Sequence, residues 1–452
     1  MIKLTLSDAA QLLQLPAPAS DIEFQGISID TRTVKPGNLF LAIKGARVDG
    51  HDLIESAREK GAAAALVTRI TDNISPQLLV PDVILALGKL ASHWRNQFDL
   101  PIIAITGSNG KTTLKNMMAS ILIAACNQNR DSVLATVGNF NNDLGLPLTL
   151  TQLNKDHRYA AIEMGMNHFG EIKYLSDITR PSIAIINNAA SAHLEGIGDV
   201  AGVARAKGEI FIGLQASGIA ILNRDDDFFD YWKNQIDNRQ YISFGTHPNA
   251  HVRAELPSSS TPSLIQIETP KGKIDIQSSL LGKHNVMNML AATAAALSAD
   301  IDFNAIKTGL EHVAPAQGRL QIHELKNNIK LIDDTYNANP LSVKAAVDTL
   351  STFSGKKILV LGDMKELGDT EKSLHQDAGD HIKHAGIDYL FTYGDLTKNT
   401  SERFGEGAYH FHEQEQLVKA LHAFLSNQTI ILVKGSRSMH MEKIVANLIE
   451  TL

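Results

Sequence analysis

Apolar positions along this chain come in short unbroken runs rather than in strict alternation. Such runs fall at residues 102–106, 159–164, 183–187, 219–222, 330–333, 357–361 and 429–433. A run of this length, with no polar residue at every second place, is the mark of a strand covered on both faces. Most of the runs are separated by stretches long enough for a helix, and that order predicts a mostly parallel sheet flanked by helices. Three blocks follow from the pattern. Residues 1–82 hold strand-like runs at 26–30, 38–43 and 63–67 with a helical stretch at 52–60, a small α/β module. Residues 83–314 open on a helical run at 82–98 and alternate strand and helix through a central sheet. Residues 315–452 repeat the alternation as a third, Rossmann-like α/β unit. The Pro- and Ser-rich segment 256–263 reads as a hairpin loop inside the second block.

Composition supports a globular, multidomain chain. Its 452 residues exceed one ordinary domain, and 44% are apolar against 20% charged. The formal net charge is -7 without a long Lys/Arg run, so a nucleic-acid partner is not expected. A single cysteine, Cys126, cannot form an internal disulfide and fits a reducing compartment. It ends an apolar helical stretch, where packing is the simpler reading than a catalytic thiol. The alanine-rich stretches at 61–67 and 289–299 are too short to span a bilayer. No secretory h-region precedes the first block. A cytoplasmic monomer is expected.

The densest chemistry lies where the run 102–106 breaks into Gly107-Ser108-Asn109-Gly110-Lys111-Thr112-Thr113, followed by a helical stretch at 114–125. A strand, a glycine-bearing turn and a helix start make a cradle for a polyphosphate. Backbone N–H groups converge there, and the helix end adds positive potential. Lys111 is placed to reach the β- and γ-phosphates, and the Thr112 hydroxyl to ligate Mg²⁺. Ile105 stands where the first glycine of the usual phosphate-loop pattern belongs.

Ligands of α/β sheets sit at the carboxyl ends of strands, and several polar clusters lie at such ends. Glu163 closes one run and suits a metal bound to nucleotide, or is a solvated loop glutamate. His193 follows the next strand and gains interest only beside Glu163. Lys207, in Ala204-Arg205-Ala206-Lys207-Gly208, reads by itself as a surface lysine. Asp333-Asp334-Thr335-Tyr336-Asn337-Ala338-Asn339-Pro340 follows a strand and suits ribose hydroxyls, a metal or a polar peptide, or else a helix N-cap.

Together these residues resemble the Mur ligases, which use ATP to join amino acids to peptidoglycan precursors. The resemblance rests on residues 106–113, Glu163, residues 187–193, Ala206-Lys207, Gly282-Lys283-His284-Asn285, Gln317-Gly318-Arg319 and Asp333-Asp334. It extends to Asp30-Thr31-Arg32, Asp49-Gly50-His51-Asp52 and Gly362-Asp363-Met364-Lys365-Glu366-Leu367-Gly368, and it is weakest at 387–428. The segment 334–340 resembles the branch that adds D-alanyl-D-alanine to a UDP-N-acetylmuramoyl-tripeptide, and the Asp-Asn-Pro-Arg signature of the diaminopimelate-adding branch is absent. The resemblance implies an ATP-dependent ligase working through an acyl phosphate. Residues 1–82 would bind the UDP precursor, 83–314 ATP, and 315–452 nucleotide and D-alanyl-D-alanine.

Site residues follow from the same resemblance. Gly107, Ser108, Asn109, Gly110, Lys111, Thr112 and Thr113 would cradle phosphate, with Arg319 as a second cation. Thr112 and Glu163 would hold one Mg²⁺, and His193 with a carbamylated Lys207 a second. Asn285 would meet the adenine and Asp334 the ribose. Thr31 and Arg32 would hold the uridine nucleotide, Asn139 would lie near the reacting carboxylate, and Asn337 and Asn339 would meet the dipeptide. Two rivals stand beside this reading. One is another amide ligase of the superfamily, whether a different Mur branch or a folylpolyglutamate or cyanophycin-type synthetase. The other is a phosphate-loop switch NTPase, for which the chain shows neither a convincing Walker B pattern nor Asn-Lys-x-Asp.

Overall fold

Strand Ile102–Thr106 is buried at every position, as an apolar run without alternation requires. In the computed structural model, which describes residues 1–71, 76–191, 194–256 and 264–452, this strand lies inside a nine-stranded sheet. Tyr159–Glu163 and then Val133–Ala135 lie on one side of it. Ile183–Ile186, Ile219–Asn223, Gln240–Gly245 and Val252–Arg253 lie on the other, all parallel. The chain therefore leaves Ile102–Thr106 in one direction and later crosses it to build in the other. The reversal opens a crevice at the strand's carboxyl end, where ligands of open α/β sheets bind.

Helices fill both faces. On one, Leu114, Met117, Met118, Ile121 and Leu122 of helix Lys111–Ala125 pack with the alanine-rich helix Lys283–Ser298. Alanines 291, 292, 294, 295 and 296 are all fully buried, so this apolar stretch is core; no described helix is long and apolar enough to cross a membrane. Helix Phe303–Glu311 approaches so closely that a Cβ on Gly309 would stand 2.4 Å from the Ile121 Cα. On the other face Leu175, Val203, Phe211 and Trp232 form a second cluster.

The sheet ends in an antiparallel hairpin, Leu264–Thr269 with Gly272–Gln277. These strands alternate exposed and buried residues, so a reading built on unbroken runs passes over them. Residues 257–263, which hold nearly all of the expected Pro- and Ser-rich loop, lie outside the described residues.

The other two blocks carry their own sheets. Residues 3–79 form a four-stranded parallel sheet, Ile27–Ser28, Leu39–Leu41, Ala64–Val67 and Gln77–Leu79, beside a two-stranded pair. The expected helix at 52–60 is a 3₁₀ turn, Gly50–Leu53, leading into Ile54–Glu59. Helix Val83–Arg95, capped by Asp82, joins this core to the central block, with Leu148 packed in the same cluster. Residues 321–434 form a six-stranded sheet in the order Gln321–Glu324, Lys330–Asp334, Thr429–Lys434, Lys356–Gly362, Tyr389–Tyr393 and Ala408–Phe411, parallel after the first strand.

Candidate active site

The turn after Ile102–Thr106 is shaped by Gly110. Its φ is +80°, and a Cβ there would meet Asn288 Oδ1 at 2.5 Å and Asn187 Nδ2 at 2.7 Å. Both the backbone and the space thus demand glycine. The helix begins at Lys111 itself, three residues before the apolar stretch that reveals it, because the turn and not the apolar pattern sets its start. The loop after Ile183–Ile186 wraps the turn. Ser108 N donates to Asn188 O at 3.0 Å, Asn109 N donates to Asn188 Oδ1 at 2.9 Å, and Asn187 Nδ2 donates to Asn109 O at 3.0 Å. The cradle is held by side chains from the neighbouring strand end.

A cavity of about 840 Å³ opens beyond it, walled by the second and third blocks. Its chemistry is cationic at one end. Lys111, Lys207 and Arg319 line it, with Lys115 buried one turn along the helix. Lys111 Nζ donates to Gly107 O at 2.7 Å, and Lys115 Nζ to Asn116 Oδ1 at 2.5 Å. Burial pushes the Lys111 ammonium below its ordinary range, Glu163 pulls it back up, and Arg319 lowers it again. The Lys115 ammonium is lowered by burial in the same way. Lys207 is only 2% exposed, so the surface-lysine reading fails. Burial holds its ammonium well below the usual lysine range, Lys111 adds to the drop, and Asp226 opposes it. Desolvation disfavours each charge, and no matched anion compensates in full.

Glu163 faces this group from the end of its strand, at the level of Ile105 in the sheet register. It is 2% exposed. Its Oε1 accepts from Asn141 Nδ2 at 2.8 Å, while its buried Oε2 has no hydrogen-bond partner. A buried carboxylate oxygen left open in a cavity that Thr112 also lines fits a hard cation. Among the described residues no three His, Cys, Asp or Glu side chains gather to hold a metal by themselves. A cation here would therefore draw ligands from a phosphate.

The third block supplies the opposite wall. Arg319 Nη2 donates to Thr112 Oγ1 at 3.2 Å, and its guanidinium lies 4.2 Å from the centre of the Tyr336 ring. Asp333 and Asp334, adjacent on a strand, point to opposite sides. Asp333 accepts from Thr335 N and Oγ1 and shapes the turn. Asp334 lines the cavity and accepts from Lys434 Nζ at 2.6 Å and Leu320 N at 3.3 Å. His284 of the central block, half-buried on helix Lys283–Ser298, also lines the cavity, and burial lowers its pKa.

Most residues singled out by sequence meet in this cavity: Ser108, Asn109, Gly110, Lys111, Thr112, Thr113, Asn139, Glu163, Lys207, Asn285, Arg319, Asp334, Asn337 and Asn339. Gly107 sits behind the loop, offering its carbonyl to Lys111. His193 lies outside the described residues. Thr31 and Arg32 do not line the cavity. Arg32 is exposed and donates to Asp30 at 2.6 Å, which holds the Asp30 carboxyl down at about 2. Cys126 is buried, and burial pushes its thiol up, as packing predicts.

Sequence reasoning missed Asn288, Lys434 and Ser436. Asn288 lies three residues after Asn285 on one helix face. Lys434 and Ser436 follow the apolar run 429–433, a strand end where the ligand rule already pointed.

The chain matches the Mur ligase family, catalytic domain over residues 23–95, the Mur ligase middle domain over 105–296 and the Mur ligase, glutamate ligase domain over 318–437. It is 42% identical over 456 residues to the UDP-N-acetylmuramoyl-tripeptide–D-alanyl-D-alanine ligase of Escherichia coli (strain K12), covering 100% of this chain and 99% of that protein. The protein of the same name from Bacillus subtilis (strain 168) is 35% identical, with 100% and 99% covered. Among solved structures, MurF from Acinetobacter baumannii superposes with a TM-score of 0.92 at 35% identity, covering 100% of both chains. MurF ligase from Thermotoga maritima in complex with ADP gives 0.82 at 26% identity, covering 94% of this chain and 97% of that one.

Proposed function

This chain belongs to the Mur ligase family, and we propose that it uses ATP to join D-alanyl-D-alanine to UDP-N-acetylmuramoyl-tripeptide, releasing ADP and phosphate. One observation carries the chemistry: Lys111, Lys207, Arg319 and the open Glu163 oxygen share one cavity at the point where the strand order reverses. A cation-rich, concave pocket at a phosphate loop suits a nucleoside triphosphate. The full-length relatives named above support the choice of substrates.

A carboxylate and an amine do not condense unaided in water. In this reading the terminal carboxylate of the tripeptide attacks the γ-phosphorus, and ADP leaves. The dipeptide amine then adds to the acyl carbon, loses a proton, and phosphate departs. Lys111 and Arg319 neutralise the phosphate oxygens, where positioning and charge do most of the work. The amides of residues 107–113 hold the polyphosphate, Asn285 meets the adenine, and Asp334, steadied by Lys434, meets the ribose.

Thr112 and Glu163 would hold a Mg²⁺, which would supply counter-charge for the phosphates. His193 and Lys207 would serve a second ion. For that role Lys207 carries a carbamate: its neutral amine adds to CO₂ and loses a proton, turning a cation into an anion. Burial beside Lys111 favours the neutral amine that this step needs.

Asn139 lies by the reacting carboxylate, Asn337 by the dipeptide, and Thr31 and Arg32 by the uridine nucleotide. The chain works as a cytoplasmic monomer, with residues 1–82, 83–314 and 315–452 as its precursor-, ATP- and dipeptide-binding domains. The walls from two blocks exclude water from the acyl phosphate.

Labelling the tripeptide's terminal carboxylate with ¹⁸O tests both parts. Pentapeptide formation with one labelled oxygen in the released phosphate is expected. Pentapeptide with unlabelled phosphate would contradict the acyl phosphate, and absence of pentapeptide the ligase.

A further inference from the structure

The family resemblance places Asn339 at the dipeptide, but its polar groups have other partners. It is 8% exposed and stands at the N-cap of helix Pro340–Ser351. Its Oδ1 accepts from Ser342 N at 2.9 Å, and its own N–H donates to Ser342 Oγ at 2.9 Å, a reciprocal cap. Its Nδ2 donates at 2.8 Å to Asn109 Oδ1, which lies in the phosphate loop 230 residues away. One side chain thus caps a third-block helix and grips the central block's cradle.

The grip continues beyond Asn109. Asn109 O accepts from Asn187 Nδ2 and from Asn188 Nδ2. Asn187 Nδ2 also donates to Asn288 Oδ1 at 2.8 Å, and Asn288 Nδ2 donates to Asn285 Oδ1 at 3.2 Å. Amide hydrogen bonds therefore run from the third block through the phosphate loop to Asn285 on helix Lys283–Ser298. Asn187 and Asn288 are each 2% exposed, so the inner part of the path is shielded from water, where leaving such a bond unmade is costly, while Asn109 is half-buried.

We propose that Asn339 is a positioning residue: through Asn109 it registers the third block on the phosphate loop, so that both walls of the nucleotide cavity are set together. The idea rests on the ligase reading only in placing a nucleotide there.

A double-mutant cycle tests it. Asn339→Ser keeps a good cap, because serine is among the preferred N-cap residues, but is too short for Asn109. Asn109→Ala removes the other partner. Each variant is expected to weaken ADP binding, read by calorimetry on the full chain, by about three- to tenfold, the range of one net hydrogen bond. The double variant should be no worse than the weaker single one, because the two changes break the same bond. In turnover, the KM for ATP or kcat should move while the KM for D-alanyl-D-alanine stays within about twofold.

Losses that multiply, unchanged ADP affinity in Asn339→Ser, or a rise confined to the dipeptide KM would each overturn the proposal. Retained thermal stability of Asn339→Ser separates loss of the bridge from loss of the cap. A wild-type chain that binds ADP but forms no pentapeptide would strike the ligase reading alone and leave the ADP cycle valid.

Discussion

Two charged clusters face the cavity, and they are built on opposite principles. On the third-block wall, Lys434 and Asp334 are register partners on adjacent strands and pair at 2.6 Å, with Asn337 O and Leu320 N completing their hydrogen bonds. Each charge has its complement. On the phosphate-loop wall, Lys111 and Lys115 reach only a carbonyl and an amide, and among the described residues neither has a carboxylate within ion-pair distance. Burial holds both, and Lys207, below the ordinary lysine range. A matched pair fixes geometry. A set of desolvated cations with an open carboxylate beside it is a receptor for an anion that brings its own cation. The contrast gives the first cluster the task of holding Asp334 in place and the second the phosphate chemistry.

Breaking the matched pair should have the largest effect, and on stability. Lys434→Met leaves Asp334 without its cation in a largely buried position. Unfolding by denaturant should show a loss of about 3 kcal/mol, as for other broken buried pairs. Adding Asp334→Asn should return most of it. A loss under about 1 kcal/mol would mean that the pair is solvated, and the contrast would weaken.

Removing a receptor lysine should act on turnover instead. Lys207→Ala should lower kcat more than about 100-fold, beyond the usual cost of disturbing a metal's outer shell, while leaving the unfolding midpoint near wild type. Short carboxylic acids should restore part of the activity by occupying the vacated anionic place. Mass evidence of an unmodified Lys207 in active enzyme would contradict the carbamate. Lys111→Ala should lower kcat by more than about tenfold, roughly 1.4 kcal/mol. A near-normal kcat there would make Lys111 a structural lysine of the turn.

The smallest effect is a proton. With its pKa lowered in the free enzyme, Lys111 is partly neutral over a window below the ordinary lysine value near 10.4. A bound phosphate favours the charged form, so ADP binding in that window should take up protons and weaken as pH rises. Calorimetry in buffers of different ionisation enthalpy reads the uptake, and it should shrink in Lys111→Ala, with Lys115 and Lys207 supplying what remains.

What was legible in the sequence follows from how each feature is encoded. The phosphate loop is contiguous, so strand, glycine turn and helix start are read in one pass. Glu163 and Asp334 stand at strand ends, which apolar runs reveal. The burial of Lys207 was not legible locally, because it depends on what packs over Ala206 and Gly208; a Cβ on Gly208 would meet Gln235 Oε1 at 2.1 Å. The link from Asn339 to Asn109 joins residues 230 apart, and its partners are set by topology. The hairpin Leu264–Thr269 and Gly272–Gln277 alternates because one face is solvated, which hid it from a search for unbroken runs.

Phosphate release from a mixture of ATP, Mg²⁺, UDP-N-acetylmuramoyl-tripeptide and D-alanyl-D-alanine, with each component omitted in turn, tests the central claim most directly. The account predicts sustained release only when all four are present, because the receptor wall transfers its phosphate to a carboxylate that only the amine can discharge. Sustained release from ATP and Mg²⁺ alone would contradict it and return the cavity to a switch-type NTPase.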